Sequence, residues 1–288
     1  MSILWLGDPR ASDPERVGSK AARLSALAAS ARVPRGFCLP VETCERLRRG
    51  PSGGAVRGDV AGRLAEAYGR LGTGGRGSEL RVAVRSTALV EDGTDASFAG
   101  QFTTVLGVRG AERLLAAVEA VLASVADPRV AAYGERRGTP AGRPAMAVLV
   151  QEMVLADASA VAFTVDPATG DRSAVVVEAC WGLGPALVEG WVRPDRYRIL
   201  REDGEAIDAD VAEKLWMAIP GEDGVRRAPV PAFLRRRPAL DLAEARAVAR
   251  AALAAERHFA WPVDLECALR GGAVHVLQCR PITAAGQR

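Results

Sequence analysis

The sequence predicts an α+β protein, folded as one large domain or as two lobes that each have a core. Three observations carry this. A chain of 288 residues that is 49% apolar has enough hydrophobic side chain for that much interior. Segments with apolar residues at helical spacing alternate with short apolar runs of strand length, with no internal repeat. The stretch 264–283, DLECALRGGAVHVLQCRPIT, reads as strand, Gly271-Gly272 turn, strand.

Taken in order, residues 17–31 carry a helical pattern, and VPRGFCLP (33–40) is a turn running into a strand. Residues 41–49 and 58–71 are helical, set off by Gly-rich loops at 50–54 and 72–78. VAVRSTAL (82–89) is a strand, EDGTDASFAG (91–100) a polar loop bounded by glycine, and FTTVLGV (102–108) another strand. Within 110–137, Leu114, Leu115, Val118, Val121, Leu122 and Val125 recur at helical intervals. AMAVLVQEMV (145–154) is a buried strand. VAFTVDPATG (161–170), AVVVEACWG (174–182) and VRPDRYRIL (192–200) are strands too. WGLGPALVEG (181–190) reads as a strand–helix connection, with a lid as the alternative. An Ala-rich helix covers 240–259.

Composition excludes several classes. The net charge is +3 with scattered cations, and the run RRR at 235–237 is followed by Pro, so no nucleic-acid stripe is expected. No apolar run reaches the ~18 residues of a membrane span. The start, MSILWLGDPR, has neither a basic n-region nor a long apolar one, so no signal peptide is expected. Five cysteines (38, 44, 180, 267, 279) with no CxxC point to a reduced, cytoplasmic protein. With only His258 and His275 available, zinc is not expected.

The chemistry-bearing residues cluster in four places. Glu266, Gln278 and Arg280 share parity. If the hairpin pairs across Gly271-Gly272, an acid, an amide and a guanidinium can line one face of adjacent strands. Hard oxygen ligands suit Mg²⁺, and a guanidinium suits polyphosphate. Of 38 Lys plus Arg, only Lys20 and Lys214 are lysine. Lys20 follows Gly18-Ser19 and opens a helical run, where a compact ammonium can reach a phosphate. Lys214 reads as an ordinary surface lysine, with a site that needs a compact ammonium as the alternative. Arg85 sits in an apolar strand and needs an anion, whether a phosphate or the carboxylates of Glu91 or Asp92. The small-residue loop SFAGQFTT (97–104) lets backbone N–H groups approach phosphates, or serves merely as a turn.

The segments VGSKAARLSAL, VPRGFCLP, VRSTALVEDGTDASFAGQFTT, VLVQEMV, SAVAFTVDPATG, GLGPALVEGWVRPDRY and VDLECALRGGAVHVLQCRPIT occur in a telling order. It resembles that of the nucleotide-binding domain of the phosphoenolpyruvate synthase and pyruvate, phosphate dikinase family, most closely its rifampin phosphotransferase branch. The resemblance implies an ATP-grasp fold with ATP held between two lobes, residues 1–150 and 151–288. It implies that Lys20 and Arg85 bind and polarise phosphates, and that Gly100, Gln101 and Thr104 form the phosphate-covering loop. It makes Gln151, Glu152, Met153 and Val154 the hinge under adenine, with backbone contacts from Glu152 and Val154. Glu266 and Gln278 would hold Mg²⁺, and Arg280 would stabilise the transferring phosphoryl group.

The chain departs from that pattern at several points. Gly18-Ser19-Lys20 replaces Gly-Gly-Lys, Ser159-Ala160-Val161 replaces Ser-Gly-Val, and Gly182-Leu183-Gly184-Pro185 replaces Gly-Leu-Gly-Glu. Thr103 stands where an acid precedes the loop threonine. Family enzymes pass the phosphoryl group through a histidine on a swivelling domain. Neither His258 nor His275 has that Gly-rich context, so both are expected to be structural. The expected partner is a histidine-bearing domain on another chain, or a small-molecule acceptor phosphorylated directly by a kinase or ligase. A non-catalytic nucleotide sensor is the third reading.

Overall fold

The computed structural model describes residues 2–49, 54–72, 80–88, 92–93, 96–97, 103–124 and 145–282. The chain divides into two compact units. One comprises Met1–Ala29 with Pro34–Met153, and the other Ser30–Val33 with Val154–Arg288. Strands and helices are mixed in both, so the α+β class holds. No helix among the described residues is long and apolar enough to cross a membrane.

The first unit begins with β1 (Leu4–Trp5), a 3-10 turn and α1 (Pro14–Leu27), followed by β2 (Gly36–Leu39), α2 (Val41–Arg49) and α3 (Gly54–Gly72). Then come β3 (Val82–Ala88), the short strands β4 (Asp92–Gly93) and β5 (Ala96–Ser97), β6 (Thr104–Val108), α4 (Ala111–Ser124) and β7 (Met146–Glu152). Among the described residues these form an antiparallel sheet in the order β1-β2-β7-β3-β6. Alternate residues of β3 and β7 serve its two faces. Val82, Val84, Ala88, Val148 and Val150 join Leu64, Leu71, Leu114, Val118 and Val121 of α3 and α4 in one buried cluster. Each Val or Leu side chain of this cluster contributes about 1.5–3 kcal/mol on burial. The Tyr68 hydroxyl ties this side together, donating to Leu80 O at 2.6 Å and accepting from Gly110 N at 3.0 Å. Helix α1 packs on β3 and β7. The expected helix at 110–137 is present to Ser124, while Val125 and the rest of that stretch lie outside the described residues.

The second unit holds β8 (Ala158–Phe163), β9 (Ala174–Trp181), α5 (Pro185–Val188), β10 (Asp195–Leu200) and β11 (Ala206–Asp210). A small hairpin of β12 (Trp216–Pro220) and β13 (Val225–Pro229) precedes α6 (Leu242–Phe259), β14 (Val263–Arg270) and β15 (Ala273–Pro281). The sheet runs β11-β10-β9-β8-β14-β15, antiparallel throughout. A capping box starts α6: Asp241 accepts from Glu244 N at 2.8 Å, and Glu244 accepts from Asp241 N at 3.0 Å. Its buried face is Ala245, Val248, Ala249, Ala252 and Ala255, small residues that let the helix lie close on the sheet. Leu265, Cys267, Ala160, Ala162, Val177 and Tyr197 fill the sheet side, and Tyr197 donates its hydroxyl to Leu240 O at 2.8 Å.

Strands β11 to β13 have no counterpart in the sequence reading. β11, AIDAD, is a polar edge strand with little burial, so it lacks the apolar alternation that marks a strand. The same region holds a correction. Lys214 is not a surface lysine: it is fully buried, and its Nζ pairs with the fully buried Asp195. Asp195 also accepts from Ala212 N at 2.9 Å and Ala239 N at 2.7 Å, and Lys214 Nζ donates to Ala212 O at 2.9 Å. A polar-looking segment can bury a cation only where a distant acid meets it. That acid lies nineteen positions earlier in the chain, on β10.

Candidate functional site

In the first unit, the site residues are set by how α1 enters. The helix is kinked at Gly18, whose φ of 75° favours glycine. A Cβ there would overlap the Thr87 carbonyl and hydroxyl oxygens. Thr87 Oγ1 donates to Val17 O at 3.0 Å and accepts from Ala21 N at 3.2 Å, clamping the start of the helix to β3. Lys20 is therefore delivered against β3, where its Nζ donates to Ser86 O at 3.1 Å, with 6% of the residue exposed. Arg85, the next residue up that strand, stands opposite Thr104 of β6 and Leu149 of β7. Cross-strand partners share a face, so the structure brings Arg85 and Thr104 together. Gly100 and Gln101 lie outside the described residues.

The expected hinge is largely committed to the first unit's own scaffold. Gln151 is buried, and its Nε2 donates to Pro34 O at 3.3 Å. Glu152 N donates to Arg35 O at 2.8 Å, and Met153 N to Arg81 O at 2.9 Å. Any adenine contact from the Glu152 backbone must therefore run through its carbonyl. Val154 is the first residue after the boundary between the units.

In the second unit, β14 and β15 form the expected hairpin over Gly271 and Gly272, both at positive φ. Asp157 anchors the turn, accepting from Gly271 N and Arg270 Nη1, each at 2.8 Å. A plain two-residue hairpin would continue from Cys267 opposite Val276 to Glu266 opposite Leu277. That register would turn Gln278 and Arg280 toward α6, away from Glu266. Instead a bulge after Glu266 lets the chain skip Leu277, so Glu266 pairs with Gln278 and Asp264 with Arg280. The shared face expected from parity exists, and the bulge is what produces it.

That face points away from α6. Arg280 Nε donates to Asp264 Oδ2 at 3.1 Å, and its Nη2 lies 3.4 Å from Glu266 Oε1. Side-chain exposure is 24% for Arg280 and 15% for each acid, while Gln278 is buried. Asp264 is the functional candidate that sequence reasoning missed. Its signal was available: it has the parity of Glu266 and sits two residues before it. The row continues across the sheet, since Val161 of β8 pairs with both Glu266 and Glu178 of β9.

Ser159 Oγ donates to Gly182 O at 2.7 Å, linking two of the departures noted above. Gly182 N donates to Asp157 O, and Leu183 N to Ala218 O, both at 2.9 Å. These bonds hold the root of the 182–190 segment, which forms the short helix α5. Burial pushes the Cys180 thiol up to about 12, with nearby Asp195 adding to the effect. Burial thus favours the neutral thiol at Cys180. His275 faces Ala268 across the hairpin, and His258 packs edge-on against Phe259 at 4.7 Å.

Two carboxylates and an amide, arranged as cross-strand neighbours, suit a hard cation. Among the described residues no group of three or more His, Cys, Asp or Glu could hold a metal. Mg²⁺ needs no such cage, since it is commonly held by one or two carboxylates together with substrate phosphates. The residues present therefore fit Mg²⁺ delivered with a nucleotide.

Residues 52–288 match the family described as Pyruvate phosphate dikinase, AMP/ATP-binding domain. The chain is 37% identical over 221 residues to a probable phosphoenolpyruvate synthase of Methanocaldococcus jannaschii, covering 76% of this chain and 19% of that protein. It is 36% identical over 313 residues to a rifampicin phosphotransferase of a Streptomyces species, covering 98% of this chain and 36% of that protein. Among solved structures it is similar to a D-alanine–D-alanine ligase from Bacillus anthracis, with a TM-score of 0.41 and 8% identity, covering 96% of this chain and 59% of that one. The chain thus spans between about a fifth and about a third of the curated relatives named here.

Proposed function

The chain belongs to the pyruvate phosphate dikinase AMP/ATP-binding family, and from that premise we propose that it is an ATP-dependent phosphotransferase module of the ATP-grasp type. It takes a phosphoryl group from Mg-ATP and passes it to a histidine on a separate domain or chain. The observation that carries this is the bulged pairing of Glu266 with Gln278 and of Asp264 with Arg280. A guanidinium beside two acids at partial exposure can exchange those carboxylates for phosphate oxygens when a cation takes the acids.

Phosphoryl transfer requires positioning and charge neutralisation more than covalent help. Residues 1–150 supply Lys20 as a compact ammonium and Arg85 as a fork for the phosphates, with Gly100, Gln101 and Thr104 covering them. Gln151 to Val154 lie under adenine, and within residues 151–288 Glu266 and Gln278 hold Mg²⁺. Arg280 meets the charge on the transferring group. Bound there, Mg²⁺ would neutralise phosphate charge. The relatives' names point to different acceptors, so a small-molecule acceptor is the second reading. Five buried free thiols support a reducing, cytoplasmic setting.

One nucleotide chromatogram with radiolabelled ATP tests the proposal. AMP with an acid-labile phosphoprotein, formed when a histidine-bearing domain is added, supports the dikinase route. ADP released on adding a small acceptor moves the assignment to a direct kinase. Fast ATP turnover by the lone chain, with no acceptor present, defeats both.

A further inference from the structure

The second unit carries a basic, aromatic-lined cavity of about 430 Å³ that shares no residue with the hairpin's polar face. Arg172 enters it from the turn before β9, Arg201 from the end of β10, and Glu256 and Arg257 from the last turn of α6. Leu253 and Trp261 supply apolar surface. Glu256 is committed: its Oε2 accepts from Arg201 Nη1 at 2.9 Å, and the same nitrogen also donates to Thr164 O at 2.9 Å. Three guanidinium groups against one carboxylate leave a surplus of two positive charges.

Part of that surplus has a simple cause. Arg257 lies at the C-terminus of α6, where a cation meets a partial charge of about −0.5 from the helix dipole. Arg172 has no such reason to be there, since it comes from another element. Neither the Arg172 nor the Arg257 side chain makes a hydrogen bond or ion pair among the described residues, and both residues are exposed. Two full charges remain against half of one. Guanidinium forks match phosphate oxygens, and an indole offers a surface to a ring. The volume falls within the roughly 300–1,000 Å³ of small-molecule clefts.

We propose that this cavity is a second ligand site, taking a small aromatic phosphomonoester, a dianion with a flat ring. Arg172 and Arg257 grip the phosphate, and Trp261 and Leu253 receive the ring. The site does not depend on the nucleotide reading above. Two sources share this chemistry: AMP and non-nucleotide aryl phosphates.

The full chain is titrated calorimetrically, without Mg²⁺, with phenyl phosphate, inorganic phosphate and AMP. Saturable binding of phenyl phosphate, tighter than that of inorganic phosphate, is expected. An Arg172→Ala/Arg257→Ala double variant should weaken it by at least about tenfold, or about 1.4 kcal/mol, at unchanged melting temperature and Mg-ATP affinity. Lys20→Ala should leave phenyl phosphate binding intact, which separates this site from the phosphate contacts proposed for the nucleotide site. AMP competing with phenyl phosphate in the Lys20→Ala chain would name the nucleotide as one source, and lack of competition would name aryl phosphates alone. No saturable phenyl phosphate binding, or equal affinity in the double variant, overturns the proposal.

Discussion

Two ionic clusters lie on opposite faces of the same six-stranded sheet, and they are built differently. On the α6 side, Lys214 and Asp195 are fully buried, and the acid's remaining capacity is spent on two backbone N–H groups. On the other side, Arg280 meets Asp264 and Glu266 at 3.1 and 3.4 Å, with all three side chains partly exposed. The first cluster is saturated and sealed, so it can only hold the segment after β11 against β10. The second has longer contacts and solvent access, so its partners can be exchanged. Charge in a fold is structural where every acceptor is filled, and available for chemistry where geometry leaves it loosely held.

The largest expected effect breaks the sealed cluster. Asp195→Ala leaves a buried ammonium without its counter-ion and should cost about 3–5 kcal/mol, measured by urea unfolding. Lys214→Arg should also destabilise the chain, because a planar fork does not fit a pocket shaped for a compact ammonium. If both variants unfold like the unaltered chain, the cluster does not hold the segment.

Removing the guanidinium from the exposed cluster should do the reverse. Arg280→Ala should lower phosphoryl transfer by about 10³ or more, as for other arginines that meet transition-state charge. ATP affinity and unfolding midpoint should hold nearly constant. A near-normal rate in an acceptor-coupled assay would take Arg280 out of catalysis.

A smaller effect sharpens the metal assignment. Glu266→Ala should weaken Mg²⁺-dependent ATP binding by about tenfold, or about 1.4 kcal/mol, with little change in unfolding. Calorimetry with and without Mg²⁺ reads this directly, and equal affinities in the two titrations would remove the metal from Glu266.

The gentlest test concerns the buried thiols. Burial pushes Cys44 and Cys180 from 9.0 up to about 12. In the unfolded chain these thiols ionise near 9.0, so unfolding releases protons above that pH. Stability should be insensitive to the two thiols below pH 9.0 and should fall as pH rises from there toward about 12. Cys180→Ala should flatten part of that slope in pH-dependent melts.

Much of this molecule is legible in its sequence. The apolar periodicities locate α1 to α4 and α6. The Gly271-Gly272 turn locates the hairpin, because two positive-φ residues in sequence leave the chain few other choices. The residue types Glu266, Gln278 and Arg280 are oxygen donors and a guanidinium fork by their chemistry alone, and the sequence shows them at matching parity. The AIDAD strand was not legible, because an edge strand buries too little to require apolar alternation.

The sequence by itself determined most of the helices and core strands, the Gly271-Gly272 turn and the chemical inventory, because these follow from local backbone preference and side-chain type, whereas β11 to β13 did not. Only the tertiary structure decided which faces those side chains occupy. A one-residue change of register flips every side chain on a strand, and the bulge at Leu277 is such a change. It is what puts Gln278 and Arg280 beside Glu266 and Asp264 rather than against α6. Only the tertiary structure could likewise convert Lys214 from an apparent surface residue into a buried one, since burying an ammonium depends on Asp195 arriving from a different strand.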